Sequence, residues 1–115
     1  MHMAFCHRNP KQCRYVLSLI AKLVASFSDL RRTGSAAYDL SCIAAGRCEC
    51  FFEPCLHIYD YAAGAVILKE AGGRFTDLRK DRNPIETGCI LASNGHLHEL
   101  LCTLLTTEEI DLLDD

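Results

Sequence analysis

The chain has 115 residues, of which 50% are hydrophobic and 23% are charged, and these proportions are typical of one globular domain rather than a disordered chain. Its formal net charge is -3, with 12 basic residues spread among 15 acidic ones. The chain therefore lacks the basic stripe that nucleic acid selects, and we expect no nucleic-acid partner.

The longest apolar stretch, residues 15–27, is too short to span a bilayer and contains Lys22. The first ten residues have no apolar segment of a secretory signal. These features predict a soluble cytoplasmic protein without a membrane partner.

The 8 cysteines form no C-x-x-C pair, and the chain has enough apolar residues to build a core. We therefore expect free, mostly buried thiols.

The first predicted helix begins at Asn9 as N-cap, with Pro10 at the first helical position. Its apolar residues recur at helical spacing: Val16, Leu19, Ile20, Leu23, Val24 and Phe27. This pattern predicts an amphipathic helix with one buried stripe. A short strand over residues 27–32 is expected to follow.

A second helix is predicted over residues 36–45, opened by Gly34 and Ser35 and ended by Gly46. It is apolar on nearly every side apart from Asp39, so it should be buried against a sheet. Residues 48–52 then read as a strand that runs into Glu53.

In the second half of the chain, Asp60 is predicted to be the N-cap of a helix over residues 61–71. A strand at 74–77, a polar turn at 79–87, a strand at 89–92, a helix at 96–105 and an acidic tail follow. Strands that alternate with helices indicate the α/β class, with a mixed or parallel sheet flanked by helices. We expect residues 1–115 to form a single domain.

The segment around Gly34 is one candidate site, because a strand there is predicted to run through a glycine into a helix N-terminus. Unpaired N–H groups and the positive end of the helix dipole suit an anion or polar hydroxyls. Gly34 and the small side chain of Ala36 would allow close approach to the backbone around Ser35. Taken alone, an ordinary strand–helix turn is the better interpretation.

Glu53 and Asp60 form the second candidate site, as two carboxylates at the ends of adjacent elements. Such a pair can hold a hard cation or bind sugar hydroxyls. Taken singly, Asp60 is explained as a helix cap and Glu53 as a solvated strand end.

Six blocks of sequence favour the functional interpretation when they are considered together. They are residues 31–40, 44–47, 52–53, 59–65, 69–73 and 92–95, which read RRTGSAAYDL, AAGR, FE, YDYAAGA, KEAGG and ASNG. In this order and spacing they resemble the C-terminal part of the inositol monophosphatase family of magnesium-dependent, lithium-sensitive phosphatases. The resemblance covers residues 5–105 and implies the C-terminal domain of that fold.

The resemblance also implies roles for individual residues. Asp60 matches an aspartate that ligates an active-site metal from a helix N-terminus, so Mg²⁺ is the implied cofactor. Gly34, Ser35 and Ala36 match the turn that contacts the sugar or polyol ring of the substrate. Glu53 matches a glutamate that accepts a hydrogen bond from a ring hydroxyl.

Two features depart from the family pattern. Tyr59 stands where the family usually has tryptophan. More importantly, the chain contains neither the glutamate nor the Asp-Pro-x-Asp-Gly-Thr run with which the N-terminal half of the family holds most of its metal ions. We therefore expect the parent protein to hydrolyse inositol monophosphate or a related sugar phosphate, and this chain alone to be inactive.

A non-catalytic module that binds a polyol phosphate or a protein partner is the alternative. The expected small-molecule partner is a phosphorylated polyol or sugar. The resemblance makes a homodimer possible, and the surface that would pack against the N-terminal half of the family, near Gly34, Glu53 and Asp60, is expected to favour self-association.

Overall fold

The computed structural model describes residues 2–3, 10–27, 29–54, 56–79 and 82–105. Helices and short strands make up this part of the chain, and the predicted α/β class is confirmed. In chain order they are β1 (His2–Met3), α1 (Pro10–Leu23), α2 (Ala36–Ala44), β2 (Cys50–Glu53), α3 (Ile58–Glu70), β3 (Arg74–Thr76), α4 (Pro84–Thr87), β4 (Ile90–Ser93) and α5 (His98–Leu105).

The four described strands form one mixed sheet in the order β1-β2-β4-β3. Strand β1 is parallel to β2, whereas β4 is antiparallel to both β2 and β3. Of the two predicted arrangements, the mixed sheet is therefore the one that forms. Glu53 is the last residue of β2 and pairs with Ile90 at the start of β4. This end of the two strands therefore lies beside the loop that leads to α3.

Helices cover the sheet on both faces, and alternation along β2 separates two cores. Phe52 belongs to a cluster with α1 and α5, while Phe51 belongs to a cluster with α2 and α3. Successive side chains of a strand point to opposite faces, which is why neighbouring phenylalanines enter different cores. Both residues are fully buried.

Helix α1 buries Val16, Leu19 and Leu23 of the predicted stripe. The helix ends at Leu23, and the next predicted member, Val24, is exposed, so the prediction is wrong for that residue. The Tyr15 hydroxyl donates a hydrogen bond to the carbonyl of Leu105, which joins α1 to the end of α5. The predicted N-cap, Asn9, lies outside the described residues, as do the first residues of the chain before Pro10 other than β1.

The strand predicted over residues 27–32 is wrong for the residues that the structure describes there. A turn follows α1, and only Arg31 forms an isolated bridge. The predicted start of the last helix at His96 is also wrong, because α5 begins at His98. Two side chains explain the later start of the helix. Ser93 Oγ accepts a hydrogen bond from the Gly95 N–H at 3.1 Å, and Asn94 Oδ1 accepts one from the His96 N–H at 3.1 Å. These bonds stabilise a polar turn before the helix.

The polar turn predicted around residues 79–87 contains a short helix, α4, capped by Asn83. The buried carboxylate of Asp77 anchors this region, because it accepts hydrogen bonds from the Arg79 side chain at 3.2 Å and from Thr87 Oγ1 at 2.6 Å. This buried ion pair and the Thr87 hydroxyl hold both ends of the turn against the sheet.

His98 belongs to a buried polar network that the sequence did not predict. Its ring nitrogens lie 2.7 Å from Thr76 Oγ1 and 2.7 Å from Ser93 Oγ. Burial lowers the pKa of this imidazole, because desolvation disfavours the charged ring. His98 therefore links α5 to β3 and β4 as a hydrogen-bonded core residue.

The described cysteines agree with the expectation of free thiols. Cys13, Cys42, Cys48, Cys50, Cys89 and Cys102 form no disulfide with one another, and all but Cys13 are buried. Burial raises the pKa of the Cys50 thiol to about 12, which favours the protonated, unreactive form.

Within the described residues, no helix is both long and apolar enough to cross a membrane.

Helices α2 and α3 pack against each other at unusually short range. A Cβ atom on Gly64 of α3 would lie 2.8 Å from Leu40 Cδ1 and 2.9 Å from Leu40 Cβ. Both residues are buried. Because the Leu40 Cβ is fixed to its backbone, a larger residue at position 64 would force the two helices apart.

Gly64→Val should lower the free energy of unfolding by about 2 kcal/mol or more, because overpacking a closed helix contact costs on this order. Ala63→Val, at the exposed neighbouring position of the same helix, is the matched control and should cost about 0.5 kcal/mol through helix propensity alone. Urea denaturation followed by circular dichroism measures both. Equal changes in the free energy of unfolding for the two substitutions would show that the helices can move apart without loss of stability.

Candidate functional site

The predicted site residues line a single cleft where the N-termini of α2 and α3 meet the end of β2. The cleft has a volume of about 400 Å³ and is lined by Arg32, Gly34, Ser35, Ala36, Glu53, Leu56, Tyr59 and Asp60. Two larger depressions of about 600 and 670 Å³ lie elsewhere and contain none of the predicted residues. The structure thus brings together all five residues that the sequence singled out.

The turn before α2 is held by its own side chains. Gly34 has φ +84°, a conformation that favours glycine. Ser35 is the N-cap of α2, and its Oγ accepts from the Tyr38 N–H at 3.3 Å. The Ser35 hydroxyl proton can still be donated to a ligand in the cleft, because the cap uses Oγ only as an acceptor.

Buried Asp39 strengthens this turn from inside the helix. It is 2% exposed and accepts a hydrogen bond from Thr33 Oγ1 at 2.8 Å. Thr33 Oγ1 in turn accepts from the Ser35 N–H at 3.3 Å. Asp39, the one charged residue of α2, therefore fixes the geometry of the turn that precedes the helix.

Glu53 is half-buried at the end of β2, and its environment disfavours ionisation. Burial raises the pKa of its carboxyl to about 7; Arg32 opposes this shift, while Asp39 and Asp60 add to it. At neutral pH this carboxyl is therefore present in both protonation states. It can accept a hydrogen bond from a ligand hydroxyl or donate one to it.

Asp60 lies in the first turn of α3 but is not its N-cap, which corrects the sequence prediction. The helix begins at Ile58 after His57, which has an extended backbone with φ -95° and ψ 153°. The Asp60 carboxylate accepts from the His57 N–H through Oδ2 at 3.1 Å. An acidic residue at the third helical position can reach back in this way, and so the helix starts three residues earlier.

This hydrogen bond leaves the second carboxylate oxygen of Asp60 for a cation. Mg²⁺ is bound by oxygen atoms, and protein sites often supply one or two carboxylates, with water and substrate phosphate completing the shell. Asp60 fits that role as one ligand. The described residues contain no group of three or more His, Cys, Asp or Glu side chains that could hold a metal ion, so further ligands would have to come from elsewhere.

Arg32 is the charged lining residue to which sequence reasoning gave no role. It is the one cationic side chain among the described residues that line the cleft. Its place two positions before Gly34 was the available signal, since a residue there flanks a predicted anion-binding turn. Tyr59 also lines the cleft; it is 80% exposed, and its ring stacks on His57 with centroids 5.3 Å apart.

Comparison with known proteins identifies the fold and the family. Residues 6–109 match the model of the inositol monophosphatase family. The chain is 40% identical over 97 residues to the Nus factor SuhB of Salmonella typhimurium, covering 84% of this chain and 36% of that protein. It is 38% identical over 88 residues to the inositol-1-monophosphatase of Rhizobium meliloti, covering 76% of this chain and 33% of the relative.

Among solved structures, the extragenic suppressor protein suhB from Bartonella henselae superposes with a TM-score of 0.82 at 33% identity. The match covers 93% of this chain and 41% of that one. The present chain thus spans well under half the length of each of these relatives. The family match over residues 6–109, together with these similarities, shows that the chain belongs to the inositol monophosphatase family.

Proposed function

We propose that this chain is the substrate-side part of a Mg²⁺-dependent phosphomonoesterase that acts on inositol monophosphate or a related sugar phosphate. The observation that carries the proposal is the convergence of Ser35, Glu53 and Asp60 on one cleft. The relative from Rhizobium meliloti is named an inositol-1-monophosphatase, which supports this substrate class.

The residues of the cleft have complementary tasks in this proposal. Asp60 supplies one carboxylate oxygen to Mg²⁺, which when bound polarises the phosphoryl group and lowers the pKa of a bound water. The Ser35 hydroxyl and the backbone N–H of Ala36, at the N-terminus of α2, contact the polyol ring. Glu53 accepts a hydrogen bond from a ring hydroxyl when its carboxyl is ionised.

Catalysis needs more ligands than the described residues provide. One carboxylate binds Mg²⁺ weakly, because this ion retains its water shell when few protein ligands are present. We therefore infer that hydrolysis requires acidic side chains beyond this segment, of the kind that the rest of a full-length relative would contribute.

A second candidate is a non-catalytic module that binds a protein partner. The observation in its favour is that the Salmonella typhimurium relative, at 40% identity, is named a Nus factor. The two candidates differ in one measurable respect: the phosphatase requires the Asp60 carboxylate to bind a cation, and the partner-binding module does not.

Cation binding can be tested on the chain itself with Mn²⁺, a paramagnetic substitute for Mg²⁺. In a ¹H–¹⁵N NMR spectrum, Mn²⁺ should broaden the amide signals around Asp60 and Glu53 first. Asp60→Asn should abolish this selective broadening, because the amide keeps an oxygen acceptor for the His57 N–H but loses the charge that a hard cation requires.

Asp29→Asn is the matched control, since Asp29 is an exposed carboxylate that pairs with Arg31 outside the cleft. It should leave the broadening around Asp60 unchanged. Broadening that persists in Asp60→Asn would remove Asp60 from the ligand set.

Activity is best tested in a hybrid in which this chain replaces the matching segment of the Rhizobium meliloti inositol-1-monophosphatase. The hybrid should release phosphate from inositol 1-phosphate in the presence of Mg²⁺, and Asp60→Asn should lower kcat/KM by about a hundredfold or more. The isolated chain should release none above background. A folded hybrid that binds inositol phosphate without turnover would favour the non-catalytic candidate.

Glu53 should make stability depend on pH in a predictable direction. Its folded-state pKa of about 7 exceeds the ordinary value of 4.5, so the native state binds this proton more tightly than the unfolded state does. The resulting stabilisation is present below about pH 4.5 and is lost as the pH rises to about 7. Glu53→Gln should therefore stabilise the metal-free chain by about 2 kcal/mol more at pH 8 than at pH 5.

Urea denaturation in the presence of a chelator measures this difference. Glu49→Gln, at an exposed position just before β2, is the control and should change the free energy of unfolding by the same amount at both pH values. A Glu53→Gln variant whose added stability does not vary with pH would show that the Glu53 carboxyl titrates normally.

A further inference from the structure

His98 is a buried histidine that joins the last described helix to two strands of the sheet. It is the first residue of α5 and is 1% exposed. Its Nε2 atom lies 2.7 Å from Thr76 Oγ1 of β3, and its Nδ1 atom lies 2.7 Å from Ser93 Oγ of β4. Each ring nitrogen is therefore within hydrogen-bond distance of a hydroxyl group of the sheet.

The ring and the two hydroxyls match each other when the ring is neutral. A neutral imidazole has one N–H donor and one acceptor nitrogen, so one hydroxyl accepts the ring proton and the other donates its own proton to the ring. A protonated imidazole donates through both nitrogens. The hydroxyl that had donated to the ring must then turn its proton away. Ser93 Oγ would also have to accept from the ring and from the Gly95 N–H, which lies 3.1 Å away.

Burial and nearby charge both disfavour protonation of this ring. Burial lowers the pKa of His98, and the charge of Arg74 on β3 lowers it further, while Glu99 on α5 raises it. Arg74 and Glu99 pair with each other at 3.1 Å, and the Glu99 side chain is 61% exposed. Because water screens an exposed carboxylate, Glu99 compensates a buried positive charge only in part.

Four other titratable or charged groups line the depression beside His98: Asp77, Arg79, Arg82 and Cys102. Asp77 is the acidic one, and its carboxylate accepts from Arg79 Nε at 3.2 Å and from Thr87 Oγ1 at 2.6 Å. The two arginines add positive charge to the same depression, which disfavours a second cation nearby.

We propose that His98 is an acid-sensitive clamp, which holds the start of α5 against β3 and β4 while its ring is neutral and releases it when the ring gains a proton. The neutral ring joins three elements through two short hydrogen bonds. The protonated ring is a buried cation that gains stability by reaching water. A polar turn separates α5 from β4, so the start of the helix can move away while β4 stays paired with β2 and β3.

The direction of the pH dependence follows from the lowered pKa of His98 in the folded state. The unfolded chain takes up this proton more readily, at the ordinary histidine value of about 6.5. The stabilisation from the clamp is therefore fully present above about pH 6.5 and is lost as the pH falls through the lower folded-state pKa.

Urea denaturation of the wild type and of His98→Gln at about pH 7.5 and about pH 5.5 tests the clamp. Glutamine has both donors and an acceptor for the two hydroxyls but does not titrate. On acidification, the unfolding equilibrium constant of the wild type should rise about fivefold or more relative to that of His98→Gln, since a buried polar contact left unmade costs about this much. Glu53 titrates in both proteins, so its effect cancels in the comparison.

His96→Gln is the matched control, because His96 is an exposed histidine two positions before His98. Its stability should depend on pH as that of the wild type does. An equal pH dependence in the wild type and in His98→Gln would overturn the clamp. So would a loss of pH dependence in His96→Gln that matches the loss in His98→Gln, because the effect would then not require the buried ring.

A ¹H–¹⁵N NMR titration of the wild type tests the clamp without relying on the stability of a variant. The His98 ring should take up its proton below about pH 6.5. As it does so, the Leu101 and Cys102 amides should lose protection from hydrogen exchange relative to the amides of β4, after correction for the intrinsic effect of pH on exchange. A ring that protonates at or above pH 6.5 would contradict the proposal, and so would equal changes in protection along α5 and β4.

Discussion

The close contact of α2 with α3 is the constraint on which the candidate site depends. Gly64 lets α3 approach Leu40 of α2 to a distance at which a Cβ atom would not fit. This contact lies about one turn inside α2, at Leu40, and about one turn beyond Asp60 in α3, at Gly64. Because the helices touch there, their N-termini lie side by side at the end of β2, and the cleft forms between them.

The cleft combines fixed geometry with unbalanced charge. Its turns are held by short local hydrogen bonds, from Thr33 to Asp39 and from the His57 N–H to Asp60. Burial keeps the pKa of Glu53 near 7, and Arg32 is the cation that opposes this effect. In the proposed function, the ligand hydroxyls meet Ser35 and Glu53, and a divalent cation at Asp60 would compensate the negative charge of the cleft.

Much of this organisation could be predicted from local patterns. The apolar stripe of α1, the glycine and serine before α2 and the alternation along β2 each follow from rules that involve neighbouring residues only. The strand prediction for residues 27–32 is wrong because, of the described residues there, only Phe27 is of a strand-favouring type and Asp29 is of a type depleted in strands. Asp60 was placed at the wrong helical position because an acidic residue suits both the N-cap and the third position.

The alternation of helix and strand patterns was enough to predict the α/β class. The family resemblance, carried by six blocks of contiguous residues, then implied the five candidate site residues. The tertiary structure decided the rest: which sheet arrangement forms, that Arg32 enters the cleft, that Glu53 is hard to ionise, and that His98 is buried between two hydroxyls. These properties depend on residues far apart in the chain. Desolvation and charge proximity arise only when the fold brings such residues together, so no local pattern encodes them.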